Sequence, residues 1–276
     1  MTRPSRRSAF QRLCAAVGHA IVDYRMIAEG DRILVGLSGG EDSLALMHAL
    51  TYLQRRAPVS FTIHAATVDM GFPGFDLATL SAYCQAQGWP HEVVSLPGEE
   101  ILAEKNHARR PCGLCSRLRR GKLHGLAERL DCGTIALGQQ LDDLAVSLLM
   151  SLFRGHGLKT MGPHVAADAG RKRLIRPLCY VPKAVVHDVA LDMAFPTVKS
   201  CPYLPLLDAG GDRARLTRLL GDLDTQYPGV RQNILASLKH VETAHLLDRR
   251  WLQLPPQTVE NDGGSERGSD ADDFTE

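Results

Sequence analysis

A doubly wound α/β fold, a mostly parallel sheet with helices on both faces, is the architecture this sequence predicts. Three observations carry the prediction. Short apolar strand patterns alternate with helical patterns long enough to cross over a sheet, and such crossovers join parallel strands. The first strand pattern runs into a Gly-Gly turn that opens an apolar helix. The 276 residues are 44% hydrophobic and 23% charged, which excludes a disordered or fibrous chain and allows one large domain or two small ones.

The elements follow in order. Phe10, Leu13, Cys14, Val17, Ile21 and Tyr24 recur at three- and four-residue steps and predict an opening helix. Arg32 to Leu37 reads as a buried strand, followed by the glycine turn and the helix Leu44 to Leu53. Phe61 to Val68 is a second strand, Leu77 to Gln87 a helix and His91 to Leu96 a third strand. Leu118 to Leu130 is helical, Thr134 to Leu137 a fourth strand and Leu144 to Phe153 a helix. From Pro182 onward the pattern is helical, ending in a long helix from about Val230 to Trp251, and there is no internal repeat.

Charge is unevenly distributed behind a net value of +1. Residues 255 to 276 hold seven acids against one base and almost nothing apolar, so an acidic, disordered tail is expected there. Residues 1 to 254 hold 31 bases against 24 acids, a basic body compatible with a polyanionic partner. No run approaches the roughly eighteen apolar residues that span a bilayer, so no membrane association is expected. Ser5-Arg6-Arg7 faintly resembles a twin-arginine export signal, but Arg12, His19 and Asp23 make the following segment an amphipathic helix rather than an apolar region. Seven cysteines, an odd number without regular spacing, fit a reduced cytoplasmic chain better than a disulfide framework.

The strongest local motif is Ser38-Gly39-Gly40-Glu41-Asp42-Ser43, between a buried strand and a helix. Adjacent glycines permit turns closed to other residues and let a ligand approach the backbone. The helix that follows points free N–H groups and its positive dipole end at the turn, and Ser38 and Ser43 add hydroxyls, an arrangement suited to phosphate or pyrophosphate. The Gly-Lys-Ser/Thr ending of a Walker A loop is absent. A plain turn with a Ser/Asp helix cap explains the same residues without a ligand. The second motif is Cys112-Gly113-Leu114-Cys115, whose spacing serves a zinc half-site, a redox pair or part of an iron–sulfur site. Arg109, Arg110, Arg117, Arg119, Arg120 and Lys122 crowd around it, where they would lower thiol pKa values and hold nucleic-acid phosphates, or simply form a solvated face.

The first motif resembles the Ser-Gly-Gly-x-Asp-Ser fingerprint of the PP-loop ATP pyrophosphatases, with Glu41 at the variable position. The run Cys112 to Leu123 closely resembles the Cys-x-x-Cys-Ser-x-Leu-Arg-Arg-Gly segment of the tRNA 2-thiocytidine synthetases (TtcA-type) of that superfamily. Two further stretches match in order. Leu137-Gly138-Gln139-Gln140-Leu141-Asp142-Asp143 stands where the family has Leu-Gly-His-His-Arg-Asp-Asp. Arg176-Pro177-Leu178 precedes a helix and then Phe195-Pro196, after which the family has a Cys-x-x-Cys; Cys201 matches its first cysteine and Leu204 replaces the second. The likeness spans about Phe10 to Leu206, and its departures gather at the nucleotide motifs: Glu41 for the subfamily's Lys, Gln139 and Gln140 for paired His, Leu141 for Arg.

The resemblance implies an adenine nucleotide alpha hydrolase-like fold and an ATP-dependent tRNA sulfurtransferase. ATP would bind at Ser38, Gly39, Gly40, Asp42, Ser43 and Gly138, with Asp142 and Asp143 holding Mg²⁺ or, on the plainer reading, capping a helix. Asp69, ending the second strand, lies at the carboxyl edge where ligands of such folds bind and reads equally as a turn residue. Cys112, Cys115 and Cys201 would hold a 4Fe-4S cluster and, with Asp42, form the catalytic set. Its partners would be tRNA and a sulfur donor such as a cysteine desulfurase, and a homodimer is one assembly it allows. The implied organisation is an N-terminal helix over 1–30, the PP-loop domain over 31–206, C-terminal helices over 207–254 and the tail. Two other readings remain open at this point: a non-catalytic cluster- or zinc-holding nucleic-acid-binding relative, and a PP-loop enzyme with another nucleophile such as an amine. Cys14, Cys84, Cys132, Cys179, His48, His64 and His187 read as packing or surface residues.

Overall fold

The computed structural model describes residues 7–104, 111–167, 172–196, 198, 201, 203 and 210–253. It comprises two compact units, 1–236 and 237–276. In the first, helix α1 (Ala9–Asp23) opens on a capping box, with Gln11 N–H donating to Ser8 Oγ at 3.1 Å and Ser8 N–H donating to Gln11 Oε1 at 3.0 Å. Then come β1 (Asp31–Gly36), α2 (Glu41–Gln54), β2 (Phe61–Asp69), α3 (Leu77–Ala86), β3 (His91–Ser95), α4 (Gly98–Glu104), α5 (Pro111–Arg129), β4 (Thr134–Ala136) and α6 (Leu141–Phe153). A hairpin of β5 (His164–Ala167) and β6 (Lys172–Ile175), then α7 (Lys183–Asp192), α8 (Asp212–Gln226) and α9 (Val230–Ser237), complete the unit.

The six strands run in the order β3-β2-β1-β4-β6-β5, all parallel except β5, which pairs antiparallel with β6 at the edge. Alternation along β1 divides the core. Ile33 and Val35 join Leu13, Val17, Leu44 and Val189 on one face, while Leu34 packs with Leu123, Leu126 and Ile135 on the other. Burial on both faces is why β1 reads as a continuous apolar run. The chain order reverses between β1 and β4, and their carboxyl ends open a crevice there, the place where ligands bind in folds of this kind.

The predicted doubly wound sheet is therefore present, with the short helix α4 added where no element was expected and three further differences in its elements. Helix α5 begins at Pro111, not near Leu118, because proline suits the first turn, where its missing N–H costs nothing. That puts the Cys-x-x-Cys on the helix itself. The β5–β6 hairpin has four-residue strands, too short for periodicity to reveal. The long terminal helix is absent: α9 stops at Ser237, and the second unit has short 3₁₀ turns at Thr243–His245 and Arg249–Trp251. Val241 and Leu247, 40% and 98% exposed, bury too little to hold a helix together. The expected boundary near residue 206 and the acidic tail lie outside the described residues.

His48 illustrates the packing. It is 8% exposed, stacks on Phe195 with ring centroids 5.2 Å apart, and lies 2.8 Å from the Tyr83 hydroxyl through Nε2. Burial lowers its pKa from 6.5 to about 4. Below pH 6.5 the unfolded chain takes up a proton that the native state refuses, so stability drains away as pH falls from 6.5 to about 4. The loss reaches at most about 3 kcal/mol at this site. Urea unfolding at pH 7 and pH 4.5 should show this loss, and His48→Leu should remove its share of the slope.

Candidate nucleotide and thiol site

At the carboxyl edge of the sheet lies a cavity of about 700 Å³. One wall is the turn between β1 and α2. Ser38 N–H donates to Ser43 Oγ at 3.1 Å, Gly40 N–H donates to Ser38 Oγ at 3.3 Å, and Ser43 Oγ donates to the Gly40 carbonyl at 2.9 Å. The serines thus brace the loop from within. Gly39 has φ +80°, and a Cβ there would stand 3.0 Å from Val198, so the turn demands glycine. Gly40 caps α2 without a side-chain hydrogen bond, which leaves the first-turn N–H groups and the positive helix end for a ligand. Gly138, after β4, approaches so closely that a Cβ would meet Ser43 N and the Asp42 carbonyl carbon at 3.1 Å.

Asp42 lines the cavity and is gripped by Lys183 at the start of α7, whose Nζ lies 2.9 and 3.0 Å from its two carboxylate oxygens. Lys183 Nζ also lies 3.6 Å from Glu41, which in turn stands 3.3 Å from His187. Burial raises the Asp42 pKa above the ordinary carboxylate value, against the pull of Lys183. Lys183 is raised as well: burial opposes its charge, but Asp42, Glu41 and Asp143 together outweigh it. Burial thus sets the direction at Asp42, and three carboxylates around one ammonium set it at Lys183.

The second acidic pair divides its duties. Gln140 caps α6, accepting from Asp142 N–H at 2.6 Å, and Asp143 completes the capping box by accepting from Gln140 N–H at 3.3 Å. Asp142 is tied to Lys183 N–H at 2.8 Å and to Arg231 Nε at 2.8 Å, away from the cavity wall. Asp143 lines the cavity and pairs with Arg213 at 2.9 Å. Gln139 accepts from Arg176 Nε at 3.1 Å, and Asp69 lines the wall while accepting from Gly71 N–H at 2.8 Å.

Cys112, Cys115 and Cys201 all line the same cavity. Cys112 is exposed, Cys115 is buried against Met70, Phe72, Leu102 and Leu114, and Cys201 is half-buried. The expectation that neighbouring arginines lower the thiol pKa values is overturned for the pair. Cys112 and Cys115 are both raised, because burial outweighs Arg119 and the other thiols add repulsion. Among the described residues, no three His, Cys, Asp or Glu side chains gather closely enough for one metal ion. The three thiols share the cavity with Arg119, whose buried Nε has no hydrogen-bond partner and is a donor suited to an anionic group such as an iron–sulfur cluster.

Of the basic residues singled out, Arg119 and Arg120 line the cavity; Arg117 and Lys122 are exposed and do not; Arg109 and Arg110 lie outside the described residues. Sequence reasoning missed Lys183, Arg213 and Arg231, single cations in helical segments that carry no motif.

A PP-loop domain family model matches residues 11–195. The tRNA-cytidine(32) 2-sulfurtransferase of Geobacter sulfurreducens is 39% identical over 244 residues, covering 87% of this chain and 93% of the relative. The enzyme of the same name from Anaeromyxobacter sp. is 37% identical over 274 residues, covering 95% and 89%. Among solved structures, the U34-tRNA thiolase NcsA from Methanococcus maripaludis, with its [4Fe-4S] cluster, shares the fold. Its TM-score is 0.65 at 21% identity, over 85% of this chain and 80% of that one. An ordered set of motifs, a cavity that joins a glycine turn to three thiols, and relatives matched along most of their length converge: the chain belongs to the PP-loop family and, within it, to the tRNA-cytidine(32) 2-sulfurtransferases.

Proposed function

We propose that this protein is an ATP-dependent tRNA sulfurtransferase that replaces the 2-carbonyl oxygen of an anticodon-loop cytidine with sulfur. The observation that carries this reading is the single cavity shared by the Ser38–Ser43 turn and the thiols of Cys112, Cys115 and Cys201. In the first step the carbonyl oxygen attacks the α-phosphorus of ATP and pyrophosphate leaves. In the second, a sulfide-level nucleophile (HS⁻) attacks the carbon, its proton passes to water and AMP departs with the original oxygen; persulfide sulfur from a desulfurase would first take two electrons from a thiol reductant. The turn and the α2 N-terminus receive the phosphates. Asp42 and Asp143, on the wall, would hold Mg²⁺, and Lys183 keeps Asp42 oriented and ionised. Asp142 serves this reading from behind by fixing the start of α7. Cys112, Cys115 and Cys201 would hold a 4Fe-4S cluster, which when bound supplies an iron with an open position for sulfur. Arg119 and Arg120 carry positive charge to the place where the anticodon loop enters.

The reading places the enzyme in the reduced cytoplasm, fed by a donor such as a cysteine desulfurase, and admits a homodimer. Among the described residues no helix is long and apolar enough to cross a membrane. A non-catalytic relative is not favoured, because the glycine turn and the acids beside it are intact. An amine nucleophile would leave the three thiols that line the cavity without a purpose. The test is tRNA-stimulated pyrophosphate release, with mass spectrometry of the digested tRNA. 2-Thiocytidine in the digest is the expected result; tight tRNA binding without turnover would overturn it.

A further inference from the structure

Next to the main cavity is a second, shallower recess of about 310 Å³, between the end of α6, the loop after it and the first turn of α8. Arg154, His156, Lys159 and Arg213 line it, and Arg213 also belongs to the wall of the main cavity. The loop is built rather than slack. Gly155 and Gly157 take φ +66° and +86°, letting it double back on α6. Ser151 Oγ donates to the Gly157 carbonyl at 2.7 Å, and Thr160 Oγ1 donates to the Leu144 carbonyl at 2.6 Å. These hydroxyls hold the loop, and the cations it carries are left facing water.

Two of the cations have partners that a stronger anion can displace: Arg154 pairs with Asp212 and Arg213 with Asp143, all four side chains being partly exposed. Lys159 is exposed and has no ion pair among the described residues. Phe153, 68% exposed, precedes Arg154 in the chain at the end of α6 and lies outside the recess lining. Exposed aromatic rings on the same surface as a group of cations are what hold single-stranded nucleic acid, with bases on the rings and phosphates on the cations.

We propose that this recess is a phosphodiester site for the tRNA substrate: Arg154 and Lys159 hold backbone phosphates, Phe153 stacks a base, and Arg213 marks the passage into the main cavity. The inference rests on the tRNA reading above and extends it to a surface that none of the sequence motifs touches. Free phosphate or pyrophosphate shares the same chemistry, so the test separates them.

Filter binding of a tRNA transcript should be measured at several KCl concentrations for the full-length protein and for Arg154→Ala/Lys159→Ala. The double variant should bind about tenfold more weakly at low salt. Its log–log salt slope should be smaller by about 1.5, the release expected for two phosphates. Phe153→Ala should weaken binding about tenfold with the slope unchanged, since stacking releases no counterions. ATP binding should stay within about twofold, because none of these residues lines the nucleotide wall. If melting shows the double variant unfolded, Lys159→Ala alone carries the test, with a slope change of about 0.7. Unchanged affinity and slope would overturn this site while leaving the sulfurtransferase reading intact. Loss of inorganic pyrophosphate binding with the tRNA slope unchanged would overturn it in favour of a product-anion site. A wild-type protein that fails to bind tRNA would overturn both.

Discussion

Cys112→Ser should abolish tRNA thiolation while leaving ATP-dependent pyrophosphate release in place. Cys112 is the exposed member of the thiol set, so the substitution removes a ligand without opening a core. Thermal stability of the protein without its cluster should change by well under 1 kcal/mol, as for other surface substitutions. Losing even an outer-shell partner of a metal typically costs 10- to 100-fold, so loss of a direct ligand should exceed about 100-fold in thiolation. Iron and sulfide per chain, with the visible absorption spectrum after anaerobic purification, should fall with it. Cys115→Ser makes an informative contrast. Cys115 is 7% exposed among Met70, Phe72 and Leu114, so a hydroxyl there costs stability, roughly 1–3 kcal/mol, as well as the ligand. Full iron content and undiminished thiolation in Cys112→Ser would remove the thiol assignment.

Asp42→Asn should reduce pyrophosphate release by about 100-fold, the scale of losing one preorganised charge at a reacting phosphate. The side chain keeps its size but gives up its grip on Lys183, whose nearest remaining carboxylate is Glu41 at 3.6 Å. The site should then hold neither Mg²⁺ nor the lysine in place. The fold should survive, because the Asp42 side chain is 33% exposed and pairs of this kind contribute little. The pH profile offers a second readout. Because the Asp42 pKa is raised above 3.8, wild-type turnover should decline at a higher pH on the acid side than an ordinary carboxylate would dictate. The stability effect runs the other way. The native state holds this proton more tightly than the unfolded chain does, so Asp42 adds stability as pH falls through its raised pKa, and Asn should remove that contribution. A variant releasing pyrophosphate at the wild-type rate would exclude Asp42 from the nucleotide site.

The parts of the fold that were legible share one property: their signal is local. The apolar run of β1, the glycine turn and the amphipathic spacing of α1 each lie within a few residues, where backbone hydrogen bonding and side-chain periodicity decide the element. The failures came where that signal was short or was overridden. The four-residue strand β6 exists because β4 and β5 flank it, and β5 because β6 offers it an edge. The apolar residues after Ser237 suggested a helix that no core supports.

The site divides in the same way. Ser38 to Ser43 and the cysteines were visible as spaced residue types, because phosphate cradles and thiolate ligands demand those types at those intervals. Which cations answer the acids was not visible. Lys183 meets Asp42 across 141 residues and Arg213 meets Asp143 across 70, separations over which pattern carries no information. By itself the sequence determined the alternating elements, the glycine turn, the thiol motif and the family. Only the tertiary structure decided that one cavity holds both the turn and the thiols, that burial raises the Cys112 and Cys115 pKa values despite nearby arginines, and that α8 brings a second basic surface to its rim. The physical reason is that element type follows from short-range sterics and periodicity, whereas charge pairing and desolvation depend on which distant segments chain closure brings together.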